Sequence, residues 1–323
     1  LLTRLAQDFR VVYVEEPVHD DGEPRLDVAE VSPGITVVLP TLPRRAPGFH
    51  DDHIAELQSL VGQHLESIGV DDYAVWFYTP MALPLIDELQ PRAVVYDCMD
   101  ELSAFLNAPR QLVQRENALL KRADLVFTGG PSLYRSKRTR HPAVHCFPSS
   151  VDAAHFASAR TERPSGNARP TLGFYGVLDE RIDRDLIAAV ADARPDWQLV
   201  MVGPVVKIPA DSLPRRPNIE YLGQRPYAEL PALVEQWDVC LLPFALNEAT
   251  KFISPTKTLE YMAAGKPVVS TPINDVVECF GGLIHVAANA DAFIRACELS
   301  LRESPQEVAR RRAAADAALR KTS

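Results

Sequence analysis

The sequence predicts an α/β protein in which two doubly wound domains face each other across a cleft. Three observations support this fold class. The chain has 323 residues, more than one ordinary domain contains. Apolar runs of strand length alternate with amphipathic helical segments in two successive series. Between the series, residues 157–170 are rich in Pro, Gly, Ser and Arg and lose the apolar periodicity, which is typical of a linker.

The first series predicts an N-terminal Rossmann-like domain over residues 1–156. It opens with what resembles the tail of a helix followed directly by a strand, whereas a parallel sheet needs a strand and a loop before such a helix. We therefore expect about 15–30 residues before Leu1, including the missing first strand. The apolar pattern predicts strands at 11–16, 73–80, 93–100, 124–130 and within 143–156, and helices at 51–69, 82–89 and 108–123.

The second series predicts a C-terminal domain over residues 171–290. Two helices over 291–323 close the chain, and packing of these helices back on the N-terminal domain is one expectation. The last helix begins with Ser304-Pro305-Gln306-Glu307, a capping-box pattern. The predicted strands of this domain lie at 171–177, 197–204, 218–224, 238–244, 266–271 and 282–287, with helices at 183–195, 228–237 and after Ser254.

Composition restricts the classes of function. A net charge of −9 and a pI near 5.4 argue against nucleic-acid binding, which favours basic domains. No run of about 18 apolar residues is present, so the sequence predicts no membrane span. The five cysteines are scattered and form no CxxC pair, which indicates free thiols in a reducing compartment. We therefore expect a cytoplasmic protein.

The stretch SPTKTLEYMAAGKPVVST (254–271) is the most informative in the chain. Ser254 is a suitable N-cap, Pro255 suits the first helical position and Gly265 suits the end of the helix. Lys257 lies in the first turn, where backbone N–H groups are free, and Glu260 lies one turn further on the same face. Lysine and free N–H donors favour a phosphate, and the carboxylate can accept two ribose hydroxyls. An ordinary surface Lys–Glu pair has the same spacing, so the residues alone leave both interpretations open.

This stretch resembles the nucleotide-sugar motif of GT-B-fold glycosyltransferases, in the bacterial group near family GT4 (glycosyl transferases group 1). Three further segments match that group in the right order: FPSSVDAAHF (147–156), FYGVLDERIDRDLI (174–187) and NIEYLGQRPYAELPALVEQWDVCLLPF (218–244). The resemblance is clear over most of residues 120–290 and weak in the N-terminal half. It implies that the C-terminal domain binds a nucleotide-sugar donor and the N-terminal domain binds the acceptor.

The resemblance also implies roles for individual residues. Lys257 would contact the diphosphate of the donor, and Glu260 would hold the ribose hydroxyls. Ser254 begins the same motif, and Gly176 would let the backbone approach the diphosphate and the acceptor. The loop that would contact the base contains Gly223, Gln224 and Arg225.

The sequence departs from the family pattern in three places. Retaining members carry a Glu-x7-Glu pair, but position 252 is Phe252, which places a retaining mechanism in doubt. An arginine often follows the first glycine, where this chain has Val177, so Lys257 and Arg181 become the candidates for neutralising the diphosphate. The Asn-Gly of the interdomain element is replaced by two serines at 149–150.

An inverting transfer needs a general base, and the acidic end of the strand at 93–100 offers one. Asp100 is the first candidate and Glu101 the second. A solvated acidic loop that caps the following helix is the alternative for this segment. Asp183-Arg184-Asp185 has the DxD form of metal-dependent glycosyltransferases, but its place at a helix start suits the helix dipole. The histidines and aspartates of 50–53 likewise open a helix, so we expect no metal site and metal-independent catalysis.

A basic cluster, Arg135–His141, interrupts this acidic sequence. It is either a solvated turn or a contact for acidic lipid headgroups or a lipid-linked acceptor at the inner face of the membrane.

The sequence thus predicts a hexosyltransferase-type enzyme of bacterial polysaccharide or glycolipid synthesis. Its donor is a substrate rather than a cofactor, and we expect a UDP- or GDP-sugar; the acceptor is a saccharide or a lipid-linked saccharide. Two alternatives stay open: a nucleotide-sugar epimerase on the same fold, and a catalytically silent nucleotide-sugar-binding subunit.

Overall fold

A computed structural model describes residues 1–43, 46, 48–160 and 169–322. Most of the predicted linker, residues 161–168, lies outside the described residues. The chain divides into two compact units. The smaller unit comprises Leu1–Cys98, Pro109–Phe127 and Arg140–His145, and the larger unit comprises Met99–Ala108, Thr128–Thr139 and Cys146–Ser323.

The smaller unit opens with a sheet that the sequence predicted only in part. Strand β4 pairs in parallel with β1 and β2 and antiparallel with β3. The β3–β4 hairpin was not predicted, although a Pro33-Gly34 turn joins its strands and Gly34 has a φ of +76°. The elements are helix α1 (Leu2–Leu5) and strands β1 (Val11–Val14), β2 (Val18–His19), β3 (Arg25–Ser32) and β4 (Ile35–Leu42).

A second sheet has the strand order β5-β6-β7-β8 and contains every further strand predicted for the first half of the sequence. Helix α4 was not predicted. The strands are β5 (Ala74–Phe77), β6 (Ala93–Cys98), β7 (Leu125–Thr128) and β8 (Val144–Cys146). The helices are α2 (Ile54–Ser67), α3 (Gln111–Arg122) and α4 (Pro131–Lys137), with 3-10 turns at Asp51–His53, Pro80–Ile86 and Leu102–Ala104.

The larger unit contains a parallel six-stranded sheet of order β11-β10-β9-β12-β13-β14. This is the doubly wound order, in which the strand order reverses between β9 and β12. Ligands of such sheets bind at the carboxyl ends of the strands at that point. The strands are β9 (Thr171–Tyr175), β10 (Gln198–Val202), β11 (Ile219–Gly223), β12 (Val239–Leu242), β13 (Val268–Ser270) and β14 (His285–Val286). The helices are α5 (Ala153–Ala157), α6 (Arg184–Ala193), α7 (Leu230–Glu235), α8 (Lys257–Ala263), α9 (Asn274–Phe280), α10 (Ala290–Leu301) and α11 (Pro305–Leu319).

The core of the larger unit lies around β9, the central strand. Gly173 is packed so closely under Trp237 that a Cβ there would lie 1.9 Å from the indole ring. Leu259, Tyr261 and Met262 of α8 are buried in this core. These side chains fix the depth and the rotation of α8, and therefore the direction in which its polar face points.

The last helix begins with the predicted capping box. Ser304 accepts from the Glu307 backbone N–H, and Glu307 accepts in return from Ser304. Helix α11 packs against α8 inside the larger unit, and Arg311 donates to the Gly265 carbonyl at 2.9 Å. Among the residues that the structure describes, we find no helix of sufficient length and hydropathy to cross a bilayer.

Candidate donor site

The motif helix is present, but it starts two residues later than expected. Helix α8 has Thr256 at the N-cap position without a side-chain cap, so Ser254 is not the N-cap. The chain enters through a tighter turn, in which the Thr258 N–H bonds to the Pro255 carbonyl at 3.2 Å. The predicted end is confirmed. Gly265 has a φ of +68°, and the N–H groups of Gly265 and Lys266 bond back to the last turn of the helix.

Lys257 and Glu260 lie on one face of α8 and meet the same third residue, Tyr175. The Tyr175 hydroxyl donates to Oε2 of Glu260, and Lys257 Nζ lies 6.0 Å from the centre of the Tyr175 ring. Tyr175 was missed in the sequence. The available signal was its position as the last residue of the central strand, directly before Gly176. One buried aromatic residue therefore fixes Glu260 by a hydrogen bond and lies beside Lys257.

Gly176 provides the space that Lys257 needs. Its φ is +145°, and a Cβ at this position would lie 2.4 Å from Cε of Lys257. Gly203 follows β10 with a φ of +143°, and a Cβ there would lie 1.9 Å from the Gly176 carbonyl oxygen. Both positions require glycine, and they leave backbone rather than side chains at the carboxyl end of the central strands.

Arg181 lies beside this lysine but is held by a partner that the sequence did not reveal. Its guanidinium donates to both carboxylate oxygens of buried Asp179 at 2.7–3.1 Å. The Arg181 guanidinium carbon also lies 5.2 Å from the centre of the Phe105 ring. Arg181 is therefore preorganised, with its charge partly compensated by Asp179.

Asp100 of the larger unit interacts electrostatically with both of these cations. Burial raises the pKa of Asp100, while Arg181 and Lys257 act to lower it. Burial lowers the pKa of Lys257, against the attraction of Glu260. Burial also raises the pKa of Glu260, against the Tyr175 hydrogen bond. Several half-buried titratable groups with opposing charges are typical of a functional site.

Glu101, the second candidate base, has a different environment. Lys137 Nζ lies 2.7 Å from its Oε2, and the Ser103 hydroxyl donates to its Oε1 at 2.9 Å. Both carboxylate oxygens are therefore engaged by the protein. This geometry favours Asp100 over Glu101 as the base.

The predicted base-contacting loop follows β11. Gly223 ends that strand with a φ of +67°, and its carbonyl accepts from the Gly203 N–H at 2.8 Å. Gln224 and Arg225 are exposed. Just beyond them, the Tyr227 ring stacks on His155 with centroids 4.6 Å apart. This loop thus begins beside the glycines that border Lys257.

The other sequence motifs have structural roles. Asp183 of the DxD pattern is the N-cap of α6 and accepts from the Leu186 N–H at 2.8 Å. His53, from the 50–53 segment, is buried, and burial lowers its pKa. Within the described ranges, no group of three or more His, Cys, Asp or Glu side chains is arranged to hold a metal ion.

The basic cluster is largely engaged in internal contacts. Lys137 is fully buried against Glu101, and Arg135 pairs with Glu278 at 2.8 Å. In the smaller unit, Arg140 pairs with Glu116 at 2.9 Å, and buried His141 bonds to the Ala123 carbonyl at 2.9 Å. Three cations of the cluster, Arg135, Lys137 and Arg140, are therefore paired with carboxylates of the protein.

Comparison with known proteins agrees with this geometry. Residues 169–303 match the family model described as glycosyl transferases group 1. The predicted resemblance to this family is confirmed. A Bacillus subtilis (strain 168) protein with the provisional description teichuronic acid biosynthesis glycosyltransferase TuaH is 27% identical over 256 residues. That alignment covers 72% of this chain and 64% of the length of TuaH.

Solved structures share the GT-B fold across nearly the whole chain. A UDP-forming trehalose-phosphate synthase from Burkholderia xenovorans superposes with a TM-score of 0.72 at 14% identity, covering 97% of this chain and 96% of the other. A sucrose-phosphate synthase from Thermosynechococcus elongatus gives 0.69 at 15% identity, covering 99% and 85%. An E. coli structure, described as bound with UDP-2-fluoro glucose, gives 0.71 at 13% identity, covering 100% and 92%. The predicted fold class, α/β with two Rossmann-like domains, is confirmed.

Proposed function

We propose that this protein transfers a sugar from a nucleotide diphosphate sugar to an acceptor hydroxyl. The observation that carries this proposal is that Lys257 and Glu260 both lie at Tyr175, the last residue of the central strand β9. Arg181 and Asp100 interact electrostatically with Lys257. The family match and the glycosyltransferase described for Bacillus subtilis support the same activity.

In this proposal, Lys257 and Arg181 neutralise the diphosphate. A half-buried lysine whose charge is disfavoured by burial gains from an anionic ligand, because the ligand restores the lost stabilisation of its charge. Arg181 supplies a second cation in a fixed orientation, because Asp179 holds its guanidinium. The glycine backbone of 176 allows the phosphate to approach.

Glu260 then binds the ribose. Tyr175 donates to one of its carboxylate oxygens and fixes the side chain, and the other oxygen accepts from the ribose hydroxyls. We propose a UDP- or GDP-sugar as the donor, with the base against the loop of Gly223, Gln224 and Arg225.

Asp100 acts as the general base of an inverting transfer. Its carboxylate takes the proton of the acceptor hydroxyl while the hydroxyl oxygen forms a bond to the anomeric carbon. The bond from that carbon to the diphosphate oxygen breaks on the opposite face, and the nucleoside diphosphate leaves with the electron pair. Phe252 stands where retaining relatives of the family carry a glutamate, which favours inversion. Lys257 and Arg181 stabilise the leaving group without a metal ion.

The acceptor is a saccharide or a lipid-linked saccharide in bacterial polysaccharide synthesis, by analogy with the description of TuaH.

A thermal-shift panel of UDP, GDP, dTDP and ADP tests donor binding, since a ligand of the folded state raises the melting temperature. UDP or GDP should give the largest shift. The matching nucleotide sugars are then assayed for release of nucleoside diphosphate, and NMR of the product reads its anomeric configuration. An absence of any shift would contradict the donor site. An epimerised sugar without transfer would favour the epimerase, and retention would remove the role of Asp100.

A further inference from the structure

The residue after Asp100, Glu101, forms a buried ion pair with Lys137 that has no role in the proposed donor site. We propose that Lys137 is a positioning residue: through Glu101 it holds Asp100 in the geometry that proton transfer requires. This inference rests on the proposed function, because it assigns Lys137 to the proposed base.

The Lys137–Glu101 pair is built to fix a geometry. Lys137 is fully buried, and its ammonium lies 2.7 Å from Oε2 of Glu101, whose side chain is 15% exposed. The Ser103 hydroxyl holds the other carboxylate oxygen at 2.9 Å. A buried ion pair adds little net stability compared with apolar side chains, but it defines one arrangement of its partners. The Lys137–Glu101 pair therefore serves here to fix the position of Glu101.

Asp100 is also held on its other side. The backbone of Met99 packs directly on Gly129, where a Cβ would lie 3.1 Å from the Met99 carbonyl oxygen and 3.4 Å from its Cα. Any side chain at 129 would press on this backbone. Asp100 thus lies between a residue packed on Gly129 and a residue paired with Lys137, and both neighbours restrict its backbone.

The helix that carries Lys137 is itself anchored. The Ser132 N–H at the start of α4 donates to buried Asp275 of α9 at 3.0 Å. Arg135 of α4 pairs with Glu278 of α9 at 2.8 Å. Lys137 is therefore attached to a fixed support in the same unit as Lys257 and Arg181, the cations that act on Asp100.

The test is a double-mutant cycle between Lys137→Met and Asp100→Asn. The full chain is assayed for nucleoside-diphosphate release with the nucleotide sugar selected by the thermal-shift panel. If Lys137 acts by positioning Asp100, Lys137→Met alone should lower kcat by about 10²-fold, the cost of a misplaced catalytic group. In the Asp100→Asn background the same change should cost less than about threefold, because no base is left to position.

Loss of folding is controlled by a second variant. Lys137→Met/Glu101→Gln removes both charges, which avoids a lone buried carboxylate. It should melt near the wild-type temperature, bind the selected nucleoside diphosphate with unchanged affinity and still lose about 10²-fold in kcat. Lys121→Met, which removes an exposed lysine of α3, is the matched control and should retain kcat.

Two outcomes would overturn the inference: equal losses from Lys137→Met in both backgrounds, or full activity of the doubly neutral variant. Either result would leave the proposed transfer intact, because wild-type release would still be observed. Conversely, an absence of nucleotide binding and release by the wild type would contradict the proposed function itself.

Discussion

Helices α4 and α8 are both seven residues long, and each carries a lysine that the surrounding protein partly or wholly encloses. Lys137 of α4 is fully buried and bonds directly to Glu101. Lys257 of α8 is half-buried, and burial lowers its pKa while Arg181 adds a second positive charge nearby. A lysine paired with its own carboxylate is suited to hold structure. A lysine grouped with another cation is suited to bind an anion that the protein does not supply.

The largest effect on activity should come from Asp100, the carboxylate on which both lysines act. Asp100→Asn should lower turnover by about 10²–10⁴-fold, the usual contribution of a general base. The nucleoside diphosphate should bind nearly as before, because Asp100 is assigned to the acceptor proton. Rates and binding constants measured on one preparation check this. If turnover falls by less than about tenfold, Asp100 is not the general base.

The contrast predicts that Lys137 matters most for stability. Lys137→Met leaves Glu101 without its cation, and removal of one partner of a buried pair costs about 3–5 kcal/mol. Urea unfolding should show this loss, with Lys121→Met as the control. If Lys137→Met unfolds with the same free energy as the wild type, the Lys137–Glu101 pair is exposed to water in solution.

Lys257 should behave in the opposite way, with a small effect on stability and a large one on binding. Lys257→Ala should weaken nucleoside-diphosphate binding by about 1.5–3 kcal/mol, the range for a hydrogen bond to a charged group. Binding of the nucleoside alone should change much less. Lys251→Ala, an exposed lysine shortly before the helix, is the matched control. Equal losses for both ligands would contradict the diphosphate assignment.

Glu260 should give the smallest effect and a characteristic pH dependence. Glu260→Gln should weaken nucleoside binding by about 1 kcal/mol, because an amide accepts fewer hydrogen bonds than a carboxylate. Burial raises the pKa of Glu260 above its usual 4.5. The carboxylate is the form that binds the ribose. The affinity of the wild type for the nucleoside should therefore fall as the pH decreases through this raised pKa, starting above pH 4.5. Calorimetry across that range should show a flat profile for Glu260→Gln.

The sequence predicted what short-range spacing determines. Lys257 and Glu260 share a face because residues three apart on a helix are neighbours, and Gly265 ends the helix because of its backbone freedom. The alternation of apolar runs was enough for the strands of the larger unit.

What the sequence could not predict depends on contacts between distant residues. Tyr175 bonds to a residue 85 positions away, and Lys137 to one 36 positions away. The polar spacing around these residues is compatible with many pairings, so only the packed fold selects them. The β3–β4 hairpin was missed for a related reason: most of β3 is exposed and lacks a continuous apolar pattern.

The bond from Arg311 to the Gly265 carbonyl has a practical consequence for handling the protein. The end of α8 is tied to α11, so the proposed donor helix depends on residues beyond 305. A preparation clipped near residue 305 should be regarded as altered at the nucleotide site, even when its central sheet stays folded.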